Sequence, residues 1–390
     1  MKRHAYTKSE AKLALAAAHG LGCEREFSGK AGALDVARRM GCVQSDPLDV
    51  AGRNHDLTLQ SRVKGYRPMH LHDLCYKDRS LFEYYCKMAS IMPIEAWPEF
   101  GAFREKWGKK LAPFFREHAR ETREVLVALE DGPISSRGFK GAKKVDWWWG
   151  KTNVYKVVLE HLFLTGRAII ARRDAGVKSY GLAEKLVPRA LFDAESPKGD
   201  TFRKAVALRV CRASRLAASS SSPEQWTMVG KSKCVGETLA ALERDGKLIK
   251  LELDGWKGSL YAPIENENIW KEPPGFGEDA ARFLAPLDPL LWNRKLFSVI
   301  YGHDYVWEVY KKAHERRWGY YCLPVMFDGD YVGLIEPWYG KKERRLEIRS
   351  FHLLDRNVQR GRLKRALTDE LTSFASYLGA EKVLAGKVKL

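Results

Sequence analysis

The chain has 390 residues, 45% of them hydrophobic and 30% charged, so it is too long for one ordinary core and we expect a folded protein of two to four domains. Its 67 lysine and arginine residues outnumber its 49 aspartate and glutamate residues, which leaves a net charge of +18 and makes a polyanion the expected partner. Charge alone does not distinguish nucleic acid, ribosome and anionic membrane surface.

The cysteines and the N-terminus indicate a cytoplasmic protein. Seven scattered cysteines without Cys-x-x-Cys spacing favour buried thiols over disulfides or a zinc site. The apolar run at residues 13–18 is too short for a secretory signal, and Thr7 with Glu10 has the spacing of a helix capping box. No run reaches membrane-spanning length, so we expect no membrane contact. The cluster His70, His72 and Asp73 has no second cluster of matching spacing, so we expect no metal.

A short polar segment follows the first helical pattern. Val43 to Asp46 favours a very short strand closed by Pro47, because proline cannot donate to a ladder. Residues two apart on a strand share a face, so Gln44 and Asp46 would stand about 6–7 Å apart. A carboxylate beside a carboxamide can hold a water molecule and stabilise positive charge on a sugar. In the competing interpretation Asp46 opens a turn and Asp49 caps the next helix, and without other context the turn is favoured.

The chain after this segment is predicted to be mostly helical up to residue 131. Residues 71–87 and 98–132 alternate apolar and charged residues at helical spacing. Prolines are expected to set the helix boundaries, at Pro93, Pro98 and Pro113.

Two repeats of helix, glycine and β-hairpin occur further on. In the first, the helix ends at Gly166 and the hairpin turns at residues 174–176; in the second, the helix ends at Gly246 and the turn lies at 254–258. Leucines seven and four residues before each glycine lie on one helix face. Helix, glycine cap and hairpin form the outline of a winged helix.

We therefore predict an α+β protein, mainly helical, with three tandem winged-helix domains and a small C-terminal β-barrel or sheet domain. The predicted domains are residues 1–131 with helical insertions, 132–197, 198–265, and 279–390, the last with strands flanking Asp328-Gly329 and a C-terminal helix. Residues 219–222 are interpreted as a surface loop and residues 263–278 as a linker.

Several of these segments together resemble one family. The Gln44-x-Asp46-Pro47 element, the helix predicted after it with Arg53, His55 and Arg62, and residues 284–294 (LAPLDPLLWNR) look like the bacterial winged-helix DNA-binding family numbered 42 among the helix-turn-helix families. Within it, the chain is similar to the AlkZ-like, YcaQ-type DNA glycosylases, whose characteristic pair is Gln-x-Gln or Gln-x-Asp. The resemblance extends from about residue 34 to residue 346, and this chain carries the Gln-x-Asp form.

The resemblance implies a DNA repair enzyme with three winged helices and a β domain in an open C shape. The implied substrate is duplex DNA with an N7-alkylated purine, whose positive charge makes the base a good leaving group without a general acid. Asp46 would stabilise the oxocarbenium-like sugar and accept a proton from the attacking water, which Gln44 would orient. The sequence puts no lysine beside the pair, so we expect a monofunctional glycosylase without a Schiff base or a cofactor.

Interstrand crosslinks are a further candidate substrate. A base tethered to the opposite strand cannot rotate fully into a closed pocket, and an open cleft is compatible with acting on it in the duplex. We expect the protein to act as a monomer at the nucleoid.

Basic residues in several segments are candidates for contact with DNA or the lesion. Two hairpin turns carry cations that could reach phosphates, although a solvated turn explains each equally well. His55 and Arg62, seven apart, would share a helix face that looks either at the cleft or at the core. The candidates are Arg53, His55, Arg62, Arg137, Arg172, Arg173, Lys178, Lys341 and Lys342. Trp147, Trp148 and Trp149 could form an aromatic wedge, but core anchors are favoured.

Two other functions stay open at this point. Winged helices are most often non-catalytic readers of DNA, such as transcription regulators, and fold alone does not imply chemistry. A regulator would prefer one sequence and bind as a dimer, whereas a repair enzyme would prefer damage. An RNA-binding module with the same basic surface is the third alternative.

Overall fold

The computed structural model describes residues 5–22, 24–139, 143–147, 150–174, 176–276 and 279–385. Its α-helices are Lys8–Ala18 (α1), Gly29–Met40 (α2), Asn54–Gln60 (α3), Pro68–Tyr76 (α4), Gly101–Glu117 (α5), Ala119–Glu130 (α6), Val154–Leu164 (α7), Ala183–Leu186 (α8), Arg189–Phe192 (α9), Gly199–Ser214 (α10), Ser232–Arg244 (α11), Glu267–Lys271 (α12), Arg294–Tyr301 (α13) and Arg360–Leu378 (α14). Its strands are Ala5–Tyr6 (β1), Phe27–Ser28 (β2), Val43–Gln44 (β3), Val63–Lys64 (β4), Leu81–Tyr85 (β5), Ala89–Pro93 (β6), Lys144–Val145 (β7), Thr152–Asn153 (β8), Ala168–Asp174 (β9), Val177–Leu182 (β10), Leu248–Leu253 (β11), Leu260–Pro263 (β12), Ala281–Phe283 (β13), Leu323–Phe327 (β14), Asp330–Gly340 (β15), Arg345–Leu353 (β16) and Lys382–Ala385 (β17).

The chain divides into two compact units. The first comprises the described residues of Met1–Leu71, Tyr85–Ile91 and Val206–Leu390, and the second those of His72–Tyr84 and Met92–Ala205. Both contain helices and strands, which confirms the mixed α and β class. The division into three winged-helix domains stays a prediction.

The first unit has its apolar core between its N-terminal helix and its C-terminal sheet. Helix α1 begins with the predicted capping box, in which the Thr7 hydroxyl and the Glu10 carboxylate satisfy each other's backbone amides. Strand β1 pairs in parallel with β11, which forms an antiparallel hairpin with β12. Trp270 of α12 is 1% exposed in this core, so the segment predicted as a linker is partly packed structure.

The C-terminal sheet has the strand order β13-β14-β15-β16-β17. Neighbours pair antiparallel except β16 and β17, which pair in parallel. The predicted Asp-Gly turn is present between β14 and β15, with positive φ at both Asp328 and Gly329. Helix α14 covers one face, where Phe374 meets Phe283 edge to face with ring centres 5.5 Å apart. The predicted C-terminal sheet and the helix after it are present, whereas a separate domain at residues 279–390 stays a prediction.

The second unit contains α5, α6, α7 and the β9–β10 hairpin. Gly166, with φ +72, lies between α7 and β9, as the helix-glycine-hairpin pattern predicts. The second predicted repeat of this pattern is present in the first unit, where Gly246 with φ +67 lies between α11 and β11. Residue 175, within the first predicted turn, lies outside the described residues.

Two helix predictions are wrong in this part of the chain. The helix expected over residues 71–87 ends at Tyr76, because Arg79 has φ 56, which a helix cannot continue through, and the aromatic-rich run of β5 follows. The proline boundaries are wrong at two positions, since α5 continues through Pro113 to Glu117 and Pro98 lies inside the 3₁₀ helix Ile94–Phe100.

The described cysteines are free thiols, and all but Cys234 are buried; Cys23 lies outside the described residues. None of the described helices is both long and apolar enough to span a bilayer.

Candidate active site

The Gln-x-Asp segment leaves helix α2 through Gly41, whose φ of +73 suits a glycine helix cap. The Gly41 carbonyl accepts a 2.7 Å hydrogen bond from Nη1 of Arg209. Strand β3 pairs antiparallel with β6, with Gln44 opposite Ser90. The strand ends at Gln44, so the prediction of a strand reaching Asp46 is two residues too long. Gln44 and Asp46 are therefore a strand residue and a loop residue, and not neighbours on one strand face.

Gln44 is 6% exposed and its side chain is held by a lysine. Nζ of Lys87 donates a 2.9 Å hydrogen bond to Oε1 of Gln44 and lies 5.1 Å from the centre of the Trp292 ring. Burial, and then the charge of Arg294, lower the pKa of Lys87 to about 8. The expectation that no lysine stands beside the pair is wrong, because pairing of β3 with β6 brings together residues 43 apart in sequence.

Asp46 is half-buried in the loop after β3. Its Oδ1 accepts a 2.9 Å hydrogen bond from the backbone amide of Leu48, which is the turn geometry of the competing interpretation. Oδ2 has no hydrogen-bond partner among the described residues. Burial, then the charges of Asp46 and Asp49, raise the pKa of Tyr321, so its hydroxyl stays protonated at neutral pH. The turn and a free carboxylate oxygen thus coexist in one side chain.

The loop that carries Asp46 is anchored from the C-terminal sheet. Oδ2 of Asp49 lies 2.7 Å from Nζ of Lys341 and 3.7 Å from Nε of Arg53. The backbone amide of Tyr339 donates a 3.0 Å hydrogen bond to the carbonyl of Val50. Asp49 does not cap a helix as expected, since α3 begins after Arg53. Lys341 keeps 64% of its side chain exposed despite its ion pair. Lys342, beside it, is exposed as well.

Helix α3 holds β3 in place through an asparagine that sequence reasoning missed. Nδ2 of Asn54 donates a 2.8 Å hydrogen bond to the carbonyl of Gln44, and Oδ1 accepts one of 2.8 Å from the amide of Leu287. Its neighbour His55 lies 3.2 Å from the Ser45 hydroxyl through Nδ1 and 3.6 Å from Asp56 through Nε2. His55 is thus half-buried and contacts the residue that directly precedes Asp46.

Arg62 is a core residue and not a contact for DNA. Helix α3 ends at Gln60, so His55 and Arg62 do not share a helix face. Arg62 is 1% exposed and forms a bidentate ion pair with Asp288, with Nη1–Oδ2 and Nη2–Oδ1 distances of 2.7 and 2.9 Å. The remaining donors are taken by Thr58, Ser61 and the carbonyl of His19. This ion pair joins the N-terminal helices to the segment at residues 284–294.

Of the candidate cations in the second unit, two are exposed and two are half-buried in ion pairs with glutamates of the same unit. Arg137 is exposed, and Arg172 is 56% exposed with its Nε 2.9 Å from Asp174. Arg173 forms a bidentate pair with the buried Glu83, with distances of 2.8 and 2.6 Å. Burial alone would raise the pKa of Glu83, but Arg173 holds it below its ordinary value.

Lys178 also forms an ion pair within this unit, since its Nζ lies 3.0 Å from Oε1 of Glu160. The ring centre of Trp147 lies 5.4 Å from that of the buried His161, and this packing agrees with the interpretation of Trp147 as a core anchor. Trp148 and Trp149, also proposed as a wedge, lie outside the described residues.

A cavity of about 500 Å³ opens beside Gln44. Its wall includes residues from distant parts of the first unit, namely Lys87, Ser220, Ser222, Glu224, Trp292, Asn293, Arg294 and Lys295. Asp46 is not among the lining residues. The serine stretch predicted as a surface loop therefore borders the cavity, and so do residues 292–294 of the resembling segment at 284–294.

Comparison with known proteins identifies the family. The family model described as "DNA glycosylase AlkZ-like" matches residues 37–377. Among solved structures, the chain is similar to Streptomyces sahachiroi DNA glycosylase AlkZ, with a TM-score of 0.64 and 13% sequence identity over 99% of this chain and 100% of that one. At this identity the structural likeness shows a shared fold, whereas the family match covers most of the chain. The chain therefore belongs to the AlkZ-like family of DNA glycosylases.

Proposed function

We propose that this glycosylase hydrolyses the N-glycosidic bond of N7-alkylated purines in duplex DNA, with Asp46 and Gln44 as the catalytic pair. The observation that carries the proposal is Oδ2 of the half-buried Asp46, a carboxylate oxygen without a hydrogen-bond partner among the described residues, in a residue two positions from a glutamine that lines a cavity. An N7-alkylated purine is cationic before cleavage, so the base leaves without a general acid.

Each side chain has a distinct task in this proposal. Asp46 stabilises the positive charge that develops at the sugar and accepts a proton from the attacking water through Oδ2. Lysine has no acceptor, so the 2.9 Å contact with Lys87 fixes which atom of the Gln44 amide is the oxygen. Nε2 of Gln44 is then the donor that holds the water oxygen while the carboxylate takes the proton.

The reaction is proposed to stop at the abasic site. A Schiff base requires a neutral amine, and with a pKa of about 8 roughly nine tenths of Lys87 is charged at pH 7. The ammonium is bound to Gln44, so its contribution is to orientation and charge. Interstrand crosslinks joined through N7 are a further proposed substrate, because the same bond is cleaved. The protein would act as a monomer on chromosomal DNA in the cytoplasm.

The test is base release by Asp46→Asn on a duplex that carries one N7-methylguanine. Loss of the carboxylate that accepts the proton should lower the single-turnover rate by about 10²-fold or more, while affinity for the duplex stays within a few-fold. Asp35→Asn is the matched control, since Asp35 is an exposed carboxylate on α2 and should keep the wild-type rate. An Asp46→Asn enzyme of undiminished rate would reject Asp46 as the base.

The substrate class is tested separately with wild-type enzyme. Duplexes carrying N7-methylguanine, 8-oxoguanine or uracil are compared for alkali-labile strand breaks, and a duplex with an N7-linked interstrand crosslink is followed on a denaturing gel. We expect release from the cationic base and unhooking of the crosslink, and none from the two neutral bases. Equal activity on uracil would contradict the role assigned to the cationic leaving group.

A further inference from the structure

Three cations line the cavity beside Gln44 without a carboxylate partner. Lys87, Arg294 and Lys295 form no ion pair with any described residue, and Glu224 is the one acidic residue on the described wall. Lys87 and Arg294 repel each other electrostatically, since the charge of Arg294 lowers the pKa of Lys87. Like charges confined together are unfavourable, and an anion between them would remove the repulsion.

Buried donors at the same place lack acceptors. Nδ2 of Asn293 has no hydrogen-bond partner within the described part of the chain, although the residue is only 7% exposed and lines the cavity. Nη1 of Arg294 is likewise buried and unpaired, while Nη2 donates to the carbonyl of Pro286 at 2.8 Å. Unsatisfied buried donors cost free energy, so they indicate a ligand that is rich in acceptors.

The local backbone adds to this preference. Oδ1 of Asn293 caps α13 by accepting from the amide of Leu296, so the N-terminus of that helix lies at the cavity wall. Helix N-termini carry partial positive charge and favour anions. Lys295, in the first turn, is exposed and extends the positive surface outward.

We propose that this cavity binds one phosphodiester group of the DNA strand, next to the nucleotide on which the enzyme acts. Arg294 and Asn293 would donate to the non-bridging oxygens, and Lys87 would contribute charge while it remains bound to Gln44. The base itself is a poor occupant, because an N7-alkylated purine is cationic and would meet three cations. Phosphate binding here would position the sugar backbone at the side chain of Gln44.

Phosphate binding in the cavity rests on DNA as the substrate and not on Asp46 as the catalytic base, whereas its place next to the target nucleotide rests on the proposed role of Gln44. It is therefore tested by binding to an uncleavable duplex that contains a tetrahydrofuran abasic-site analogue. A single neutral methylphosphonate replaces each phosphate in turn, from two positions 5′ to two positions 3′ of the analogue. Dissociation constants are measured by fluorescence anisotropy at fixed salt.

A double-mutant cycle links one phosphate to the cavity. For wild-type protein, neutralising one linkage should weaken binding about tenfold. In Arg294→Met the same linkage should become insensitive to neutralisation, whereas Lys364→Met, an exposed lysine on α14, should retain the full effect. Lys295→Met, also exposed, provides a second cavity variant in case Arg294→Met does not fold.

Additive losses at every linkage, in both cavity variants, would overturn the phosphate site. The proposed catalytic pair is unaffected by that result, since the assay includes no cleavage. Conversely, an active Asp46→Asn enzyme would leave the cycle at Arg294 intact.

Discussion

Nζ of Lys87 donates a 2.9 Å hydrogen bond to Oε1 of Gln44. The two residues are held together by the pairing of β3 with β6, in which Gln44 lies opposite Ser90. A glutamine amide can rotate by half a turn at little cost when nothing distinguishes its two ends. The ammonium does distinguish them, so it keeps the amide nitrogen of Gln44 as a donor.

The first prediction concerns the charge on Lys87. Lys87→Met should lower the single-turnover rate of base release roughly 10- to 100-fold, because a charged hydrogen bond is lost, and Lys87→Arg should recover part of it. The pKa is lowered from 10.5 to about 8, so the ammonium is present below that pH and lost above it. The wild-type rate should therefore fall as pH rises through 8, measured against spontaneous depurination. An identical pH profile in Lys87→Met would contradict the assignment.

The second prediction concerns covalent chemistry at the same lysine. Borohydride added during turnover should trap no protein–DNA adduct, because the amine is protonated and bound to Gln44 at neutral pH. A gel-shift of labelled DNA under denaturing conditions detects such an adduct. A trapped species that disappears in Lys87→Met would show that the enzyme is also a lyase.

The third prediction concerns the buried pair of Arg62 and Asp288. Arg62→Met should cost about 3–5 kcal/mol of stability, because Asp288 is left charged, unpaired and 0% exposed. The double variant Arg62→Met with Asp288→Leu should recover much of this loss, as apolar replacements of both partners often do. Urea unfolding followed by circular dichroism measures both. Arg62→Met with unchanged stability and weaker DNA binding would restore the DNA-contact role.

The fourth prediction separates two adjacent arginines of β9. Arg172→Met should reduce the slope of log affinity against log salt by about one, since Arg172 is largely exposed. Arg173→Met should leave that slope unchanged and destabilise the protein, because it leaves the buried Glu83 unpaired. Equal effects of both variants on the salt slope would contradict this division.

The pH dependence of the Arg173 variant follows from the carboxylate. The pKa of Glu83 is lowered in the folded protein, so the pair stabilises above the ordinary glutamate pKa and this contribution is lost as pH falls through the folded value. The stability difference between wild type and Arg173→Met should therefore be largest near neutral pH and shrink in acid.

The fifth prediction concerns the loop that carries Asp46. Gly52 has φ +104, and a Cβ there would overlap the hydroxyl of Tyr377. Gly52→Ala should cost about 1–3 kcal/mol of stability and lower the rate of base release further than the unfolded fraction explains, because the loop must move. Gly361→Ala is the control, since a Cβ at that position meets no atom within 4 Å. A rate that tracks stability alone would show that the loop does not shift.

Local patterns were predicted well from the sequence, whereas contacts between distant segments were not. Both helix-glycine-hairpin units are present because each is specified within about thirty residues, by leucines on one helix face and a glycine that takes positive φ. The helix predicted up to residue 87 failed because helical spacing and a short aromatic strand overlap in pattern. The charge of Arg62 did not show that it is buried, and its partner Asp288 was noted only as part of the resembling segment at residues 284–294.

The sequence singled out the Gln-x-Asp segment, whose part in catalysis stays a proposal, but not the residues around it. Gln44 and Asp46 were named through the resemblance, whereas tertiary structure alone brings Lys87 and Asn54 into hydrogen bonds with Gln44 and places Arg294 in the same cavity wall. A signal existed for Arg294 in the segment at residues 284–294, and none was present for Lys87.

The ion pair between Asp49 and Lys341 joins residues 292 positions apart, and the amide of Tyr339 binds the carbonyl of Val50 in the same loop. A ribosome must therefore synthesise the chain beyond Lys341 before the loop with Asp46 has this support. A nascent chain released early, or a fragment that ends before the sheet, would carry the Gln-x-Asp residues without the geometry on which their proposed role depends.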